Sequence, residues 1–174
     1  ENDTVMEWLT KRTALSSIGY EYEITHSLDK RGIDVALMFL PFTFKRIESQ
    51  SLRYSSRQTT RDILRVSGVL MTGDTLDVYA VHLPSKLNGR KSAKLRKEIV
   101  KMVRSNVDSI ISLRTNPQII VIGDFNDNPK SNLMRKELGA SALKTDELTQ
   151  KNKLYNLTSS CRYGTYKYHG HWNT

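Results

Sequence analysis

Two acids and two amides directly follow an apolar run, in the sequence GDFNDNP at residues 123–129. The run before them, residues 119–122, has no polar alternation, which predicts a strand covered on both faces. Residues two apart in an extended chain project to the same side, so Asp124 and Asn126 would point the same way. An anionic acceptor beside a neutral donor can orient a water near a phosphate oxygen. The pattern therefore indicates catalytic residues, and a turn that merely leads into the next helix is the alternative.

A second apolar run, residues 78–81, ends in His82, which Pro84 and Ser85 follow closely. A single histidine at the end of a strand is more often structural than catalytic. The carboxyl ends of neighbouring strands, however, meet at the same edge of a sheet. We therefore predict that His82 lies in one cleft with Asp124 and Asn126.

A helix is predicted between these two strands, over residues 92–113, because apolar residues recur there at helical spacing. The other face of this helix is basic, and the residues just before it are basic as well. We predict that Lys86, Arg90 and Lys91 bind phosphate, since they extend the positive charge toward His82. A basic face that is simply solvated, as on many surface helices, is the alternative.

The remaining elements are predicted from apolar periodicity and from the positions of Gly and Pro. The predicted order is a helix at 3–15, strands at 18–25, 33–40, 44–47, 63–71 and 76–83, and a short helix at 131–138. Polar stretches at 26–32, 48–60 and 141–153 are predicted to be irregular. The strands at 63–71 and 76–83 are joined by a turn containing Gly and Asp, which predicts a hairpin.

The composition fits one folded domain spanning residues 1–174, with 38% hydrophobic and 26% charged residues, and argues against wholesale disorder. The sequence contains no apolar run long enough for a membrane span and no signal peptide, so a soluble chain is expected. A single cysteine, Cys161, excludes an internal disulfide but leaves the compartment open, a secreted or periplasmic bacterial protein included. The net charge of +9 favours polyanionic partners.

Four motifs occur in the same order as in the endonuclease/exonuclease/phosphatase superfamily, which has the deoxyribonuclease I-like fold, and the chain resembles that family. The motifs are RGIDVAL at residues 31–37, VHLPS at 81–85, GDFN at 123–126, and GTY at 164–166 with Trp172. GDFN is the most specific of the four. Together they span most of the chain, and their joint occurrence is much stronger than any single match.

The resemblance implies an α/β fold, a four-layer sandwich of two packed sheets flanked by helices and incomplete at both ends. It implies hydrolysis of a phosphodiester or phosphomonoester, with Mg²⁺ or Mn²⁺ as cofactor and a phosphate ester, nucleic acid included, as the partner. His82 would contact the scissile phosphate, while Asp124 and Asn126 would orient the attacking water and the phosphate oxygens. Asp29 and Arg31 would support His82.

The chain departs from the family pattern at both ends. Active members begin with a strand bearing an Asn, continue to a Glu that binds the metal, and end with an Asp-His pair beyond the GTY motif. Here only Glu1 can take the place of the metal-binding Glu. The chain thus resembles an internal segment of a longer enzyme and is expected to be inactive alone, because Mg²⁺ needs several oxygen ligands. The alternative is a catalytically incomplete basic domain that binds a polyanion or acts as a scaffold.

Overall fold

The computed structural model of the chain describes residues 2–55, 59–143, 152–161, 167–168 and 171–172. The chain forms two compact units. The first comprises Glu1–Leu83 and Arg114–Asp124, and the second comprises Pro84–Leu113 and Phe125–Thr174. Helices and several sheets occur together, which confirms the predicted α/β class. The organisation of residues 1–174 as a single domain stays a prediction.

The first unit begins with helix α1 (Asp3–Arg12), which is capped by Asn2. The Asn2 side chain accepts a hydrogen bond from the backbone N–H of Val5 at 3.1 Å, which satisfies one of the free donors of the first turn. The helix ends three residues before the predicted Leu15 because Thr13 is extended, with φ −112° and ψ −179°. A short 3₁₀ turn, Ala14–Ser17, follows.

Strands β1 (Glu21–Ile24) and β2 (Ala36–Phe39), which lie within the strands predicted at 18–25 and 33–40, form an antiparallel pair. Asp34 organises the loop between them. Its Oδ1 accepts hydrogen bonds from the backbone N–H of Ser27 at 2.6 Å and from the hydroxyl of Thr25 at 3.1 Å. The loop is therefore held by hydrogen bonds as well as by the pairing of its two strands.

A four-stranded sheet forms the centre of the first unit, with the strand order β3-β4-β5-β6. Its strands are β3 (Phe44–Leu52), β4 (Ile63–Leu70), β5 (Thr75–His82) and β6 (Gln118–Asp124). The first three strands are antiparallel, and β6 is parallel to β5. The predicted hairpin of β4 and β5 is confirmed by their pairing.

Strand β3 is longer than predicted. It continues past Ile47 to Leu52, through residues that were expected to form a polar loop. The pairing partner explains the difference: β4 bonds along β3 as far as the pair of Leu52 and Ile63. A β-bulge between Arg46 and Glu48 shifts the register along the way. The polar side chains of β3 are mostly exposed, as suits a strand at the edge of a sheet.

One face of the sheet carries an apolar core, which packs between the sheet and strand β2. The rings of Phe39 and Phe44 meet edge to face, with their centroids 5.5 Å apart. The buried members of this core are Val35, Phe39, Phe44, Leu64, Val66, Val78 and Ala80. Its residues come from strands β2 to β5 and from Val35, which directly precedes β2, so the core joins the β1–β2 pair to three strands of the sheet.

Strand β6 is less buried than predicted. Ile120 and Ile122 are 45% and 56% exposed, so the prediction that both faces of the strand are covered is wrong. The register pairs these residues with Val78 and Ala80, at the margin of the apolar core. The core includes no residue of β6 among the described part of the chain. Four aliphatic residues in a row showed that a strand forms there, but not how much of it is covered.

The opposite face of the sheet contains a buried ionic network centred on Asp77, whose side chain is fully buried. Its carboxylate accepts hydrogen bonds from Arg65 at 3.3 Å, from Arg114 at 3.3 Å, and from the hydroxyl of Ser67. Arg65 also forms an ion pair with the exposed Glu48 at 2.8 Å. A buried charge needs such partners, since water cannot solvate it.

The second unit contains helix α2 (Gly89–Leu113), which follows a 3₁₀ turn at Lys86–Asn88. Four residues of the predicted apolar stripe, Ile99, Val103, Val107 and Ile110, are buried, and Val100 is buried as well. The helix begins three residues before the predicted start at residue 92. Among the described residues, no helix has both the length and the apolar character that crossing a bilayer requires.

The rest of the second unit consists of short elements. A π-helical turn, Leu133–Glu137, replaces the predicted short helix, and Gly139 with φ +70° follows its end. Two small sheets follow: β7 (Ala140–Ala142) is parallel to β8 (Leu154–Asn156), and β9 (Lys167–Tyr168) is antiparallel to β10 (His171–Trp172). The GTY motif at residues 164–166 lies outside the described residues.

Replacing Asp77 with Ala should lower the free energy of unfolding by about 3–5 kcal/mol, because it leaves the buried charge of Arg65 without its buried partner. Chemical denaturation of the two proteins measures the difference. Glu48→Ala is the matched control, since it removes the exposed partner of the same arginine and should cost at most about 1 kcal/mol. Equal losses for the two variants would contradict this account of the network.

Candidate active site

The parallel pairing of β5 and β6 brings His82 and Asp124 together. Each is the last residue of its strand, and the register places them opposite each other. The distance from His82 Nε2 to Asp124 Oδ2 is 4.0 Å. The backbone N–H of Leu83 donates to the carbonyl of Asp124 at 2.8 Å, which extends the pairing one residue beyond the strands. Two of the predicted catalytic residues are therefore neighbours, while their chemical roles stay predictions.

Gly123 allows this close approach. Its φ is +134°, and a Cβ at this position would lie 2.0 Å from the carbonyl oxygen of Val81. No side chain fits there unless the two strands separate. Since Gly123 directly precedes Asp124, such a separation would move the carboxylate away from His82.

Both candidate side chains are accessible to solvent. The side chain of His82 is 36% exposed and that of Asp124 is 58% exposed. Partial burial lowers the pKa of His82 below its ordinary value of 6.5, and the positive charges of Arg61 and Arg31 lower it further. The carboxylates of Asp124 and Asp29 act in the opposite direction but do not reverse the shift. The imidazole is therefore predominantly neutral at pH 7.

The side chain of Arg61 holds the carboxyl end of strand β5, and the sequence did not predict this contact. Its side chain is 4% exposed. Its Nε donates to the carbonyl of His82 at 3.1 Å, and its Nη2 donates to the carbonyl of Leu83 at 2.7 Å. The stretch before β4 was predicted to be a polar loop. The only local signal was a charged pair, Arg61 and Asp62, directly before a buried strand.

Asp29 holds the other side of the Arg61 guanidinium, with a distance of 3.2 Å from Arg61 Nη1 to Asp29 Oδ2. Burial alone would raise the pKa of Asp29, but the backbone N–H of Arg31 and the Arg61 side chain outweigh it and lower that pKa. Asp29 thus acts on the end of strand β5 indirectly, through its contact with Arg61. The side chain of Arg31 lies 3.5 Å from Asp29 and is largely exposed.

Asn126 belongs to the second unit and follows Asp124 by two residues. Its φ of +47° lies in the left-handed region, which Asn adopts more readily than most residues. The next residue, Asp127, forms an ion pair with Lys86 at 3.6 Å. Lys86, one of three residues predicted to bind phosphate, therefore already has an anionic partner. The other two, Arg90 and Lys91, lie exposed on helix α2.

A metal site is not formed by the residues that the structure describes. Among them, no group of three or more His, Cys, Asp and Glu side chains is placed to hold a metal ion. Glu1, the predicted metal ligand, lies outside the described residues. Mg²⁺ is held by several oxygen ligands in nearly octahedral geometry, and Asp124 alone does not supply them. The described residues therefore do not fit a bound Mg²⁺ or Mn²⁺ by themselves.

Comparison with known proteins agrees with the motifs and the fold. A family model described as "Endonuclease/Exonuclease/phosphatase family" matches residues 1–174. The chain belongs to this family. No curated protein matches it closely enough to add to that assignment.

Solved structures share the fold at low sequence identity. The human Nocturnin catalytic domain with bound sulfate is 22% identical over 72% of this chain and 50% of that chain, with a TM-score of 0.57. ANGEL2, a 2′,3′-cyclic phosphatase, is 16% identical over 87% of this chain and 48% of its own, with a TM-score of 0.61. TDP2 from D. rerio in complex with a single-strand DNA product is 20% identical over 80% and 49%, with a TM-score of 0.58. The family member described here spans about half the length of these structures.

Two substitutions should move the pKa of His82 in opposite directions. Arg61→Gln removes a positive charge and should raise it, whereas Asp29→Asn removes a negative charge and should lower it. NMR titration of the His82 imidazole resonances measures both, with exposed His26 as the internal reference. A shift in the same direction in both variants would show that altered burial, and not charge, dominates.

Proposed function

We propose that this chain carries the phosphate-contacting part of a metal-dependent phosphoesterase, which hydrolyses a phosphodiester or phosphomonoester by attack of water. The observation that carries the proposal is the pair of His82 and Asp124, 4.0 Å apart at the carboxyl ends of adjacent parallel strands. Membership of a family of nucleases and phosphatases supports it. The site, and not the fold alone, argues for the reaction.

Each residue has a definite task in this reaction. A neutral imidazole has one N–H, so His82 would donate a hydrogen bond to a non-bridging phosphate oxygen. The carboxylate of Asp124 would accept a hydrogen bond from the attacking water and take its proton as the new bond to phosphorus forms. The bond to the leaving oxygen breaks, and that oxygen takes a proton from solvent. Asn126 would use its amide to orient the water and a phosphate oxygen.

Arg61 and Asp29 would act through position rather than by contact with substrate. Arg61 bonds the carbonyls of His82 and Leu83, so the imidazole is presented from a fixed backbone. The guanidinium also favours the neutral imidazole, which leaves the negative charge of Asp124 to act on the water. A rigid frame of this kind matters because small misplacements of a catalytic group are costly.

The identity of the substrate is a separate part of the proposal. TDP2 from D. rerio holds a single-strand DNA product, and Nocturnin holds a sulfate, which resembles phosphate in charge and shape. ANGEL2 is a 2′,3′-cyclic phosphatase. These similar structures support a phosphate ester as the substrate, with nucleic acid among the candidates. Metal dependence is also part of the proposal.

A second candidate function is a basic domain that binds a polyanion without catalysis. The exposed cations on helix α2 favour it, because they would attract a polyanion whether or not the site turns over. The two candidates differ in what they require of His82: only the phosphoesterase needs the imidazole to meet a phosphate.

The imidazole resonances of His82 should shift when dimethyl phosphate or phenyl phosphate is added to residues 1–174. The shift follows because the accessible imidazole N–H meets a phosphate oxygen. NMR titration measures it, and the signals of His26 in the same spectra provide the control. If both imidazoles respond equally, or if His82→Ala leaves the apparent affinity unchanged, the active-site assignment is wrong.

Turnover by residues 1–174 should be slow or absent when Mg²⁺ or Mn²⁺ is added with bis(p-nitrophenyl) phosphate. The reason is that the described residues do not provide the oxygen ligands that such a metal needs. Release of p-nitrophenolate measures the rate. Fast turnover that Asp124→Ala abolishes would contradict the expected inactivity, yet support the catalytic role of Asp124.

A further inference from the structure

Helix α2 carries its cations in two groups that differ in their surroundings. Those in the middle of the helix are neutralised by neighbouring acids. Lys97 pairs with Glu137 at 2.9 Å, and Lys101 pairs with Glu98 at 3.4 Å. Arg104 donates through its Nε to Asp108 at 3.1 Å. This half of the helix face therefore presents little net charge.

The first turns of the same helix carry an unneutralised group, Arg90, Lys91 and Lys94, which we name the cationic cluster. All three side chains are exposed. None forms an ion pair with any residue that the structure describes, and the first turn of the helix contains no acid. Lys86 does not belong to the cluster, since Asp127 pairs with it. The cationic cluster therefore includes Lys94, while phosphate binding by Lys86 stays a prediction.

Helix stability does not explain the cationic cluster. Arg90 and Lys94 are four residues apart, and Lys91 and Lys94 are three apart, so both pairs place like charges side by side. Cations in the first turn also oppose the helix dipole. Each effect costs a few tenths of a kcal/mol at an exposed position. A negatively charged partner would remove both costs.

We infer that the cationic cluster binds the phosphate backbone of a nucleic acid. This inference rests on the proposed function, because it names the class of phosphate ester. The Cβ atoms of residues three or four apart on a helix lie about 5–6 Å apart, and each strand of a DNA duplex carries a charge about every 3.4 Å along the helix axis. Three cations at this spacing can meet phosphates of one strand without reading its bases.

An anionic membrane surface fits the cluster less well than a nucleic acid does. A helix that lies in a bilayer interface needs an exposed apolar face. The apolar stripe of α2 is buried. Leu87 is 92% exposed beside the cluster, but one leucine does not make such a face. Contacts to phosphates alone remain, and these suit a polyanionic strand.

Binding of a fluorescein-labelled single-stranded DNA of 20 nucleotides and mixed sequence tests the inference. Fluorescence anisotropy is measured with residues 1–174 at several salt concentrations, with EDTA present so that binding is followed without hydrolysis. The triple variant Arg90→Ala/Lys91→Ala/Lys94→Ala should bind at least about tenfold more weakly at low salt. The slope of log affinity against log salt should flatten by about 2, at roughly 0.7 for each lost phosphate contact.

The matched control is the triple variant Lys97→Ala/Lys101→Ala/Arg104→Ala. It removes the same number of positive charges from the same helix, but from side chains that already have acidic partners. Its affinity should change by less than about threefold if the cluster makes the contacts. Because Arg104 also bonds the carbonyl of Leu138, the double variants Arg90→Ala/Lys94→Ala and Lys97→Ala/Lys101→Ala repeat the comparison with Arg104 in place.

Three results would overturn the inference. Equal weakening by the two triple variants would indicate diffuse attraction by net charge. The inference would also fail if the unaltered chain did not bind the oligonucleotide, or if it bound vesicles containing phosphatidylserine but no oligonucleotide. The proposed function is tested separately by the response of His82 to dimethyl phosphate. Loss of that response with cluster-dependent DNA binding would contradict the proposed function alone. The converse would contradict this inference alone.

Discussion

The parallel pairing of β5 with β6 is the interaction on which the candidate site depends. Neither His82 nor Asp124 can act on one phosphate unless the two strands end at the same level, and the register makes them direct partners. Gly123 is part of this requirement, because the carbonyl of Val81 occupies the space of any Cβ. The backbone of β6 thus approaches β5 closely at Gly123, the residue before the candidate catalytic acid. Position along the strands, more than side-chain packing, brings the two groups together.

Buried arginines hold strand β5 near both of its ends. Arg61 bonds the last carbonyls of the strand and is itself held by Asp29. Near the other end, Arg65 pairs with the fully buried Asp77. Buried ion pairs are weak sources of stability, because desolvation offsets most of their attraction, but breaking one is expensive. Their effect here is positional: each pair allows one arrangement of the strand end and penalises the others. Arg61 has the additional effect of lowering the pKa of His82.

Charge serves a different purpose in the second unit. The cations of helix α2 are exposed, so each single ion pair contributes little to stability. What distinguishes them is their distribution. Lys97 and Lys101 have acidic partners, whereas Arg90, Lys91 and Lys94 have none among the described residues. Attraction of a polyanion depends on net local charge, and within the described part of the chain the first turns of the helix retain it. The net charge of +9 is a total for the whole chain and does not show how unevenly the positive charge is distributed along helix α2.

The sequence by itself determined what depends on local pattern: the hairpin of β4 and β5, the amphipathic helix α2, the strand that leads into GDFN, and the family. Residues near in sequence set these features, so periodicity and motifs reveal them. The tertiary structure decided what depends on distant partners. Pairing with β4 turned the first part of the loop expected after Ile47 into a continuation of strand β3. The extent of the core left Ile120 exposed, and folding placed Arg61 beneath His82. A chain pattern contains no signal for such contacts, because burial and charge pairing are properties of the neighbours that folding supplies.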